Sequence, residues 1–124
     1  NIQPIWGDEF KEKLFNSKIA LNLSQGKALK YYSSDRIAQL MGNGIATLID
    51  KKTKLNELFS DKEAIFYNSL IDLNRKINLM LRNDKLRHKL AKRGRIMYHK
   101  KFNSTVVADY MICKIFNINK NFNW

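Results

Sequence analysis

The chain is poor in the residues that staple, kink or ligate. Among 124 residues there is one cysteine, one proline, five glycines and two histidines. Cys113 alone cannot form a disulfide within the chain, and its apolar surroundings suit a core thiol in a reducing compartment. With Pro4 the only proline, there is no proline-rich linker, and no repeat or low-complexity segment divides the chain. No apolar run reaches the roughly 18 residues that a membrane-spanning helix needs. No Cys, His or acidic cluster has metal-ligand spacing, so no metal is expected. The glycines do not make a full phosphate-loop pattern. At 124 residues one domain with a real core is expected. The sequence opens on NIQPIWG without methionine, which suggests a piece of something longer.

Acidic residues are scarce as well. Lys and Arg number 23 against 11 Asp and Glu, for a formal charge of +12. Residues 1–60 carry nine Lys/Arg against six Asp/Glu, and residues 61–124 carry fourteen against five. Between Arg82 and Lys101 there are nine basic residues and one acid, Asp84. Such a run usually forms a solvated face. It also fits weak contact with an anionic membrane surface. Nucleic acid is a poorer partner, because only Tyr98 and Phe102 stand among the basic residues to stack on bases.

What is present alternates between strand and helix signals. Ile2–Trp6 reads as a short strand, and the segment from Asp8 to Asn16 as a helix with acidic residues in its first turn. Lys18–Leu23, Ile45–Ile49 and Glu63–Tyr67 read as strands. Between the first two of these lies KYYSSDRIAQLMGNG, Lys30 to Gly44. It predicts a helix capped by Ser33 or Ser34, with Ile37, Leu40 and Met41 inward and glycines ending it. Leu55–Phe59 reads as a turn or short helix. Ser69 and Asp72 have capping-box spacing ahead of a stripe at Leu70, Leu73, Ile77, Met80 and Leu81. A helix opened by Asp84 turns Leu86, Leu90 and Met97 inward. A last one, opened by Ser104, turns Val107, Tyr110, Met111 and Ile115 inward. The alternation predicts an α/β, Rossmann-like three-layer domain, with a parallel sheet of about four strands and extra C-terminal helices.

Ligands of such sheets bind outside the carboxyl ends of the strands. The loop from Ser24 to Tyr32 leaves one such end and enters a helix, whose first turn offers free N–H groups to an anion. Lys27 and Lys30 add charge, Ser33 and Ser34 add hydroxyls, and Arg36 can make paired hydrogen bonds to a phosphate. Tyr31 and Tyr32 have rings to stack on a base or sugar. Ser and Asp also serve purely as caps, and tyrosines also pack at rims, so residue types alone leave both readings open.

The ordered segments WGDEFKEKLFNSKIALNLS, SSDRIAQLMGNGIATLID and EAIFYNSLIDLNRKINLMLRNDKLRHKLAKRGRIMYHKKFNSTVVADYM together resemble the carboxyl-terminal half of GT-B fold glycosyltransferases. The likeness is to their group 1 and spore-coat-type branches. It covers nearly the whole chain. It implies that residues 1–124 are the donor-nucleotide half of a two-domain, metal-independent enzyme, without a cofactor and inactive by itself. The acceptor half would precede Asn1. The partner implied is a nucleotide sugar, and the expected location is cytoplasmic, with peripheral contact at the inner membrane face through Arg82–Lys101 as a further option. The family's donor-ribose carboxylate falls at Gln39, which can hydrogen-bond but carries no charge. Arg36 matches an arginine for which the resemblance implies a diphosphate contact. The donor-binding set is thus Lys30, Tyr32, Ser33, Ser34, Arg36 and Gln39, with no catalytic residue assigned. Two rival classes are a non-catalytic basic module for membrane or nucleic acid, and a small phosphate-ligand binder needing no second half.

Overall fold

The computed structural model describes residues 3–24, 26–33 and 35–122. Helix α1 (Gly7–Phe15) precedes strand β1 (Ile19–Asn22), and α2 (Arg36–Gly42) leads to β2 (Ala46–Asp50). Two single 3₁₀ turns, Lys51–Thr53 and Leu55–Glu57, connect β2 to β3 (Ile65–Tyr67). Helices α3 (Leu70–Arg82), α4 (Asp84–Phe102) and α5 (Ser104–Ile115) follow. The strands form one parallel sheet in the order β1-β2-β3, with Ile19 opposite Ala46 and Leu48 opposite Ile65.

The α/β, Rossmann-like expectation holds, with three strands among the described residues instead of about four. Gln3–Trp6 forms no strand, and Ile2 lies outside the described residues. Trp6 is extended but 80% exposed and precedes α1 as its N-cap. A strand needs a neighbour to take its backbone hydrogen bonds, and this segment has none among the described residues.

The central strand is apolar on both faces, as a covered parallel strand must be. Ala46, Thr47, Leu48 and Ile49 are each at most 2% exposed. Successive side chains point to opposite faces. Ile49 and Phe66 therefore meet Ile37 and Met41 of α2, with Leu55 and Phe59 from the connector and Met97, Tyr98 and Phe102 from α4. Ala46, Leu48, Ile65 and Tyr67 meet Met80, Leu73 and Ile77 of α3, with Leu86 and Leu90 of α4. Helix α4 thus touches both cores. It crosses the amino edge of the sheet, where Gly94 sits against Glu63 just before β3, and Arg95 and Ala91 sit against Gly44 just before β2.

Local signals explain most boundaries. Helix α2 ends as its sequence predicts: Gly44 takes φ +75°, its N–H donates to Met41 O at 3.0 Å, and Ile45 N–H donates to Leu40 O at 3.0 Å. This is a Schellman closure, and Leu40 and Ile45 share an apolar cluster, as that motif favours. Its start differs from expectation. Asp35, not Ser33, is the N-cap, in helical geometry and without a side-chain capping bond; Ser34 lies outside the described residues.

Helix α5 also departs from its predicted inward set. Met111 and Ile115 are 57% and 72% exposed, and Tyr110 is exposed too, whereas Cys113 is buried. The helix docks through the side that carries Val106, Asp109 and Cys113. In α3, Leu70 and Leu81 at the two ends of the stripe stay exposed.

At the start of α3, Ser69 Oγ accepts from Asp72 N–H at 3.2 Å, but Asp72 returns its bond to Asn68 N–H instead of Ser69. The same carboxylate accepts from Lys76 Nζ at 3.0 Å and Arg75 Nη2 at 2.8 Å. These cations, with the Asn68 N–H, pull its pKa to about 2. A carboxyl depressed below its unfolded value near 3.9 stabilises above that value and loses the contribution as pH falls toward 2. The stability gap between the native chain and Asp72→Asn, read from urea midpoints, should therefore be full at pH 6 and narrow between about pH 4 and 2. A gap that does not change with pH would contradict this.

Candidate functional site

The carboxyl ends of all three strands converge on one depression. Leu23 and Ser24 leave β1, Asp50 ends β2, Tyr67 ends β3, and Lys52 and the loop residues Gly26, Lys27 and Ala28 complete the wall. The cavity measures about 390 Å³. Its floor is fixed by backbone chemistry. Asp50 Oδ1 accepts from Lys52 N–H at 2.9 Å, and Thr53 Oγ1 donates to Asp50 O at 2.7 Å. The turn then closes through Lys54 in the left-handed region at φ 59°. Lys27 and Lys52 are exposed, and neither forms an ion pair among the described residues. Burial first, and then the nearby Asp50 carboxylate, raise the Tyr67 phenol above its usual range. Asp50 is thus the one acid in a wall with two ammonium groups.

The loop residues named from sequence divide between this cavity and a second one. Arg36 reaches back from α2, and its Nη1 donates to Leu23 O at 3.2 Å. This ties α2 to the cavity wall and leaves most of the five guanidinium donors without a partner among the described residues. Tyr31 holds an unusual left-handed φ of 58°, with its N–H donating to Thr53 O at 2.7 Å and its hydroxyl donating to the Glu57 carboxylate. The loop after β1 is thereby latched to the turn after β2. Lys30 Nζ lies 4.7 Å from the Tyr31 ring centroid, a cation–π contact. Ser33 and Tyr31 line the other depression, a largely apolar one of about 110 Å³ with Ile37, Leu55, Leu58, Phe59, Tyr98 and Phe102. Tyr32 is half-buried, and Gln39 is exposed with its carbonyl accepting from Asn43 Nδ2 at 2.7 Å. Of the residues that sequence reading chose, Lys30, Tyr32, Ser33, Arg36 and Gln39 do not line the cavity, although Arg36 braces it; Ser34 lies outside the described residues.

Sequence reading missed Asp50, Lys52 and Tyr67 as site residues. The signal was available: each stands at or just past the last residue of a parallel strand, where ligands of such sheets bind. Asn22, the last residue of β1, is buried, and its side-chain oxygen has no hydrogen-bond partner among the described residues.

The fold and the cavity describe a covered parallel sheet with a cavity at its carboxyl edge, without saying which chemistry it serves. A family model described as glycosyl transferase-like matches residues 1–112. The chain belongs to the glycosyl transferase-like family. No curated protein and no solved structure matches the chain. The match spans every strand and helix up to the middle of α5, so the cavity lies wholly within the glycosyl transferase-like region. No helix among the described residues is long and apolar enough to cross a membrane.

Proposed function

We propose that this chain is the donor-binding half of a GT-B glycosyltransferase close to the spore-coat-type branch, taking a nucleotide sugar at the carboxyl edge of the sheet. The observation that carries the reading is the cavity where all three strands end, with Lys27 and Lys52 in its wall and Arg36 bracing it. The two ammonium groups suit a diphosphate, and the guanidinium adds paired donors. As the glycosidic bond to the phosphate breaks, negative charge grows on the leaving diphosphate. Cations at the cavity wall favour that charge more than the ground state, which is the useful form of catalytic binding. Asp50, an acceptor only, suits sugar or ribose hydroxyls and repels phosphate, so it orients the donor. In this reading a bound donor extends past the cavity wall toward Lys30 and Tyr32, with its ribose toward Gln39, while Ser33 belongs to the neighbouring apolar depression. The acceptor, its binding half and any base that activates it come from another domain. The half-site needs no metal or cofactor, and its single thiol suits a cytoplasmic location.

The test is titration of the chain with uridine, guanosine and adenosine diphosphates, followed by backbone amide shifts. Shifts should cluster at residues 23–28, 50–52 and 67. Lys52→Ala and Arg36→Ala should each weaken binding about tenfold, roughly 1.4 kcal/mol. Shifts centred elsewhere, or affinity unchanged in both variants, would overturn the assignment.

A further inference from the structure

Helix α4 packs through one side only. Arg87, Leu90 and Gly94 are buried on it, and Arg87 is held there by bonds from Nη1 to Met80 O at 2.9 Å and to Asp84 Oδ1 at 2.6 Å. The opposite side carries Lys85, Lys89, Lys92, Arg93, Ile96 and Lys100, all exposed. Their spacing of four, seven, eight, eleven and fifteen residues from Lys85 sets them along one face, over roughly 22 Å of helix axis. None of the five cations forms an ion pair among the described residues. The one acid of the helix, Asp84, is engaged by Arg87. Like charges four residues apart repel, so this face weakens the helix that bears it.

We infer that the outer face of α4 is a docking surface for an anionic lipid bilayer. A straight row of cations without counter-charges complements a flat sheet of phosphate headgroups, and each cation adds to the attraction. Ile96, 58% exposed in the middle of the row, gains by entering the headgroup boundary and has nothing to gain in a phosphate groove. Large rings for base stacking are scarce: Tyr98, the one Phe, Tyr or Trp between Lys85 and Lys100, is turned inward against Phe59 and Phe102, and His99 is engaged by Gly42 O. The row also faces away from the sheet, whose amino edge lies under the packed side of α4. The carboxyl-edge cavity is therefore at the far end of the molecule and stays open to solution when α4 is docked. This surface does not depend on what that cavity binds.

The test uses the whole chain and vesicles of phosphatidylcholine with or without phosphatidylglycerol, in low and high salt. Binding should require phosphatidylglycerol and disappear at high salt. K89Q/R93Q should lower partitioning roughly 25-fold, about fivefold for each cation lost. Its helix content should be unchanged, since both side chains point to solvent, and nucleoside diphosphate binding should be unaffected. Ile96→Ser should weaken binding less than the double variant. Equal binding to vesicles with and without phosphatidylglycerol would overturn the inference, as would vesicle affinity retained by K89Q/R93Q. Tighter binding to a duplex oligonucleotide than to vesicles, at equal phosphate concentration, would assign the face to nucleic acid instead.

Discussion

Replacing Phe59 by alanine is expected to lower folding stability by about 3–5 kcal/mol, the range for emptying a large aromatic site in a core. The residue belongs to no regular element, yet it is 2% exposed. Its ring lies 5.6 Å from Phe102 and 6.4 Å from Tyr98, and the Lys101 ammonium is 5.9 Å from its centroid. Lys101 also donates to Leu58 O at 2.5 Å, pinning the end of α4 to the connector. Alanine would leave a void walled by two helices and a strand, none able to close in without moving the sheet. Urea unfolding measures the loss directly. Phe59→Leu, which retains most of the volume, should cost much less. A loss under about 1 kcal/mol for the alanine variant would mean that the connector repacks freely.

The second large effect is expected from adding a single methyl group. A Cβ at Gly94 would stand 2.4 Å from the carbonyl oxygen of Glu63 and 3.4 Å from the end of Met41. Alanine is the better helix former, and at a solvent-facing position this change would stabilise α4 by up to about 1 kcal/mol. Here the obstacle is backbone, which cannot rotate aside, so α4 must lift from the amino edge of the sheet. The net cost should reach about 3 kcal/mol, the upper end for overpacked cores. Gly94→Ala that proved neutral in urea unfolding would show that α4 does not make this close approach. Gly26, with nothing within 4 Å of a built Cβ, is a useful comparison for the steric part, although its φ of +73° strains any side chain there.

Strands β2 and β3 were legible because covered parallel strands must be apolar whichever way their side chains point, and β1 because its short apolar run Ile19–Leu21 sits between polar neighbours. The segment Gln3–Trp6 has a similar look, but pairing depends on a neighbour, which no local pattern contains. The end of α2 was legible because Gly44 supplies a backbone conformation other residues avoid. Its start was not, since Ser33 and Asp35 are both plausible caps and only tertiary packing chooses between them. At the site, Arg36 could be picked from its place at a helix start; Asp50 and Lys52 stand just past the strand read over Ile45–Ile49 and were legible by the same strand-end rule, but an acid and a lysine after a strand look like ordinary loop residues. The buried Arg87 was hidden among eight other basic residues between Arg82 and Lys101. Nothing in its residue type separates a guanidinium that caps a helix carbonyl from one that faces water.

The position of α4 across the amino edge bears on how the protein is made. The ribosome delivers β3 well before the residues that cover Phe66 and Ile49 from below, namely Met97, Tyr98 and Phe102. At the usual pace of synthesis, that interval lasts roughly 2–7 s. Throughout it the nascent sheet has its strands in order but one core open to water or to a chaperone. The chain becomes a finished domain from its carboxyl-terminal side, and a message cut short within α4 would release a sticky intermediate, not a smaller working unit.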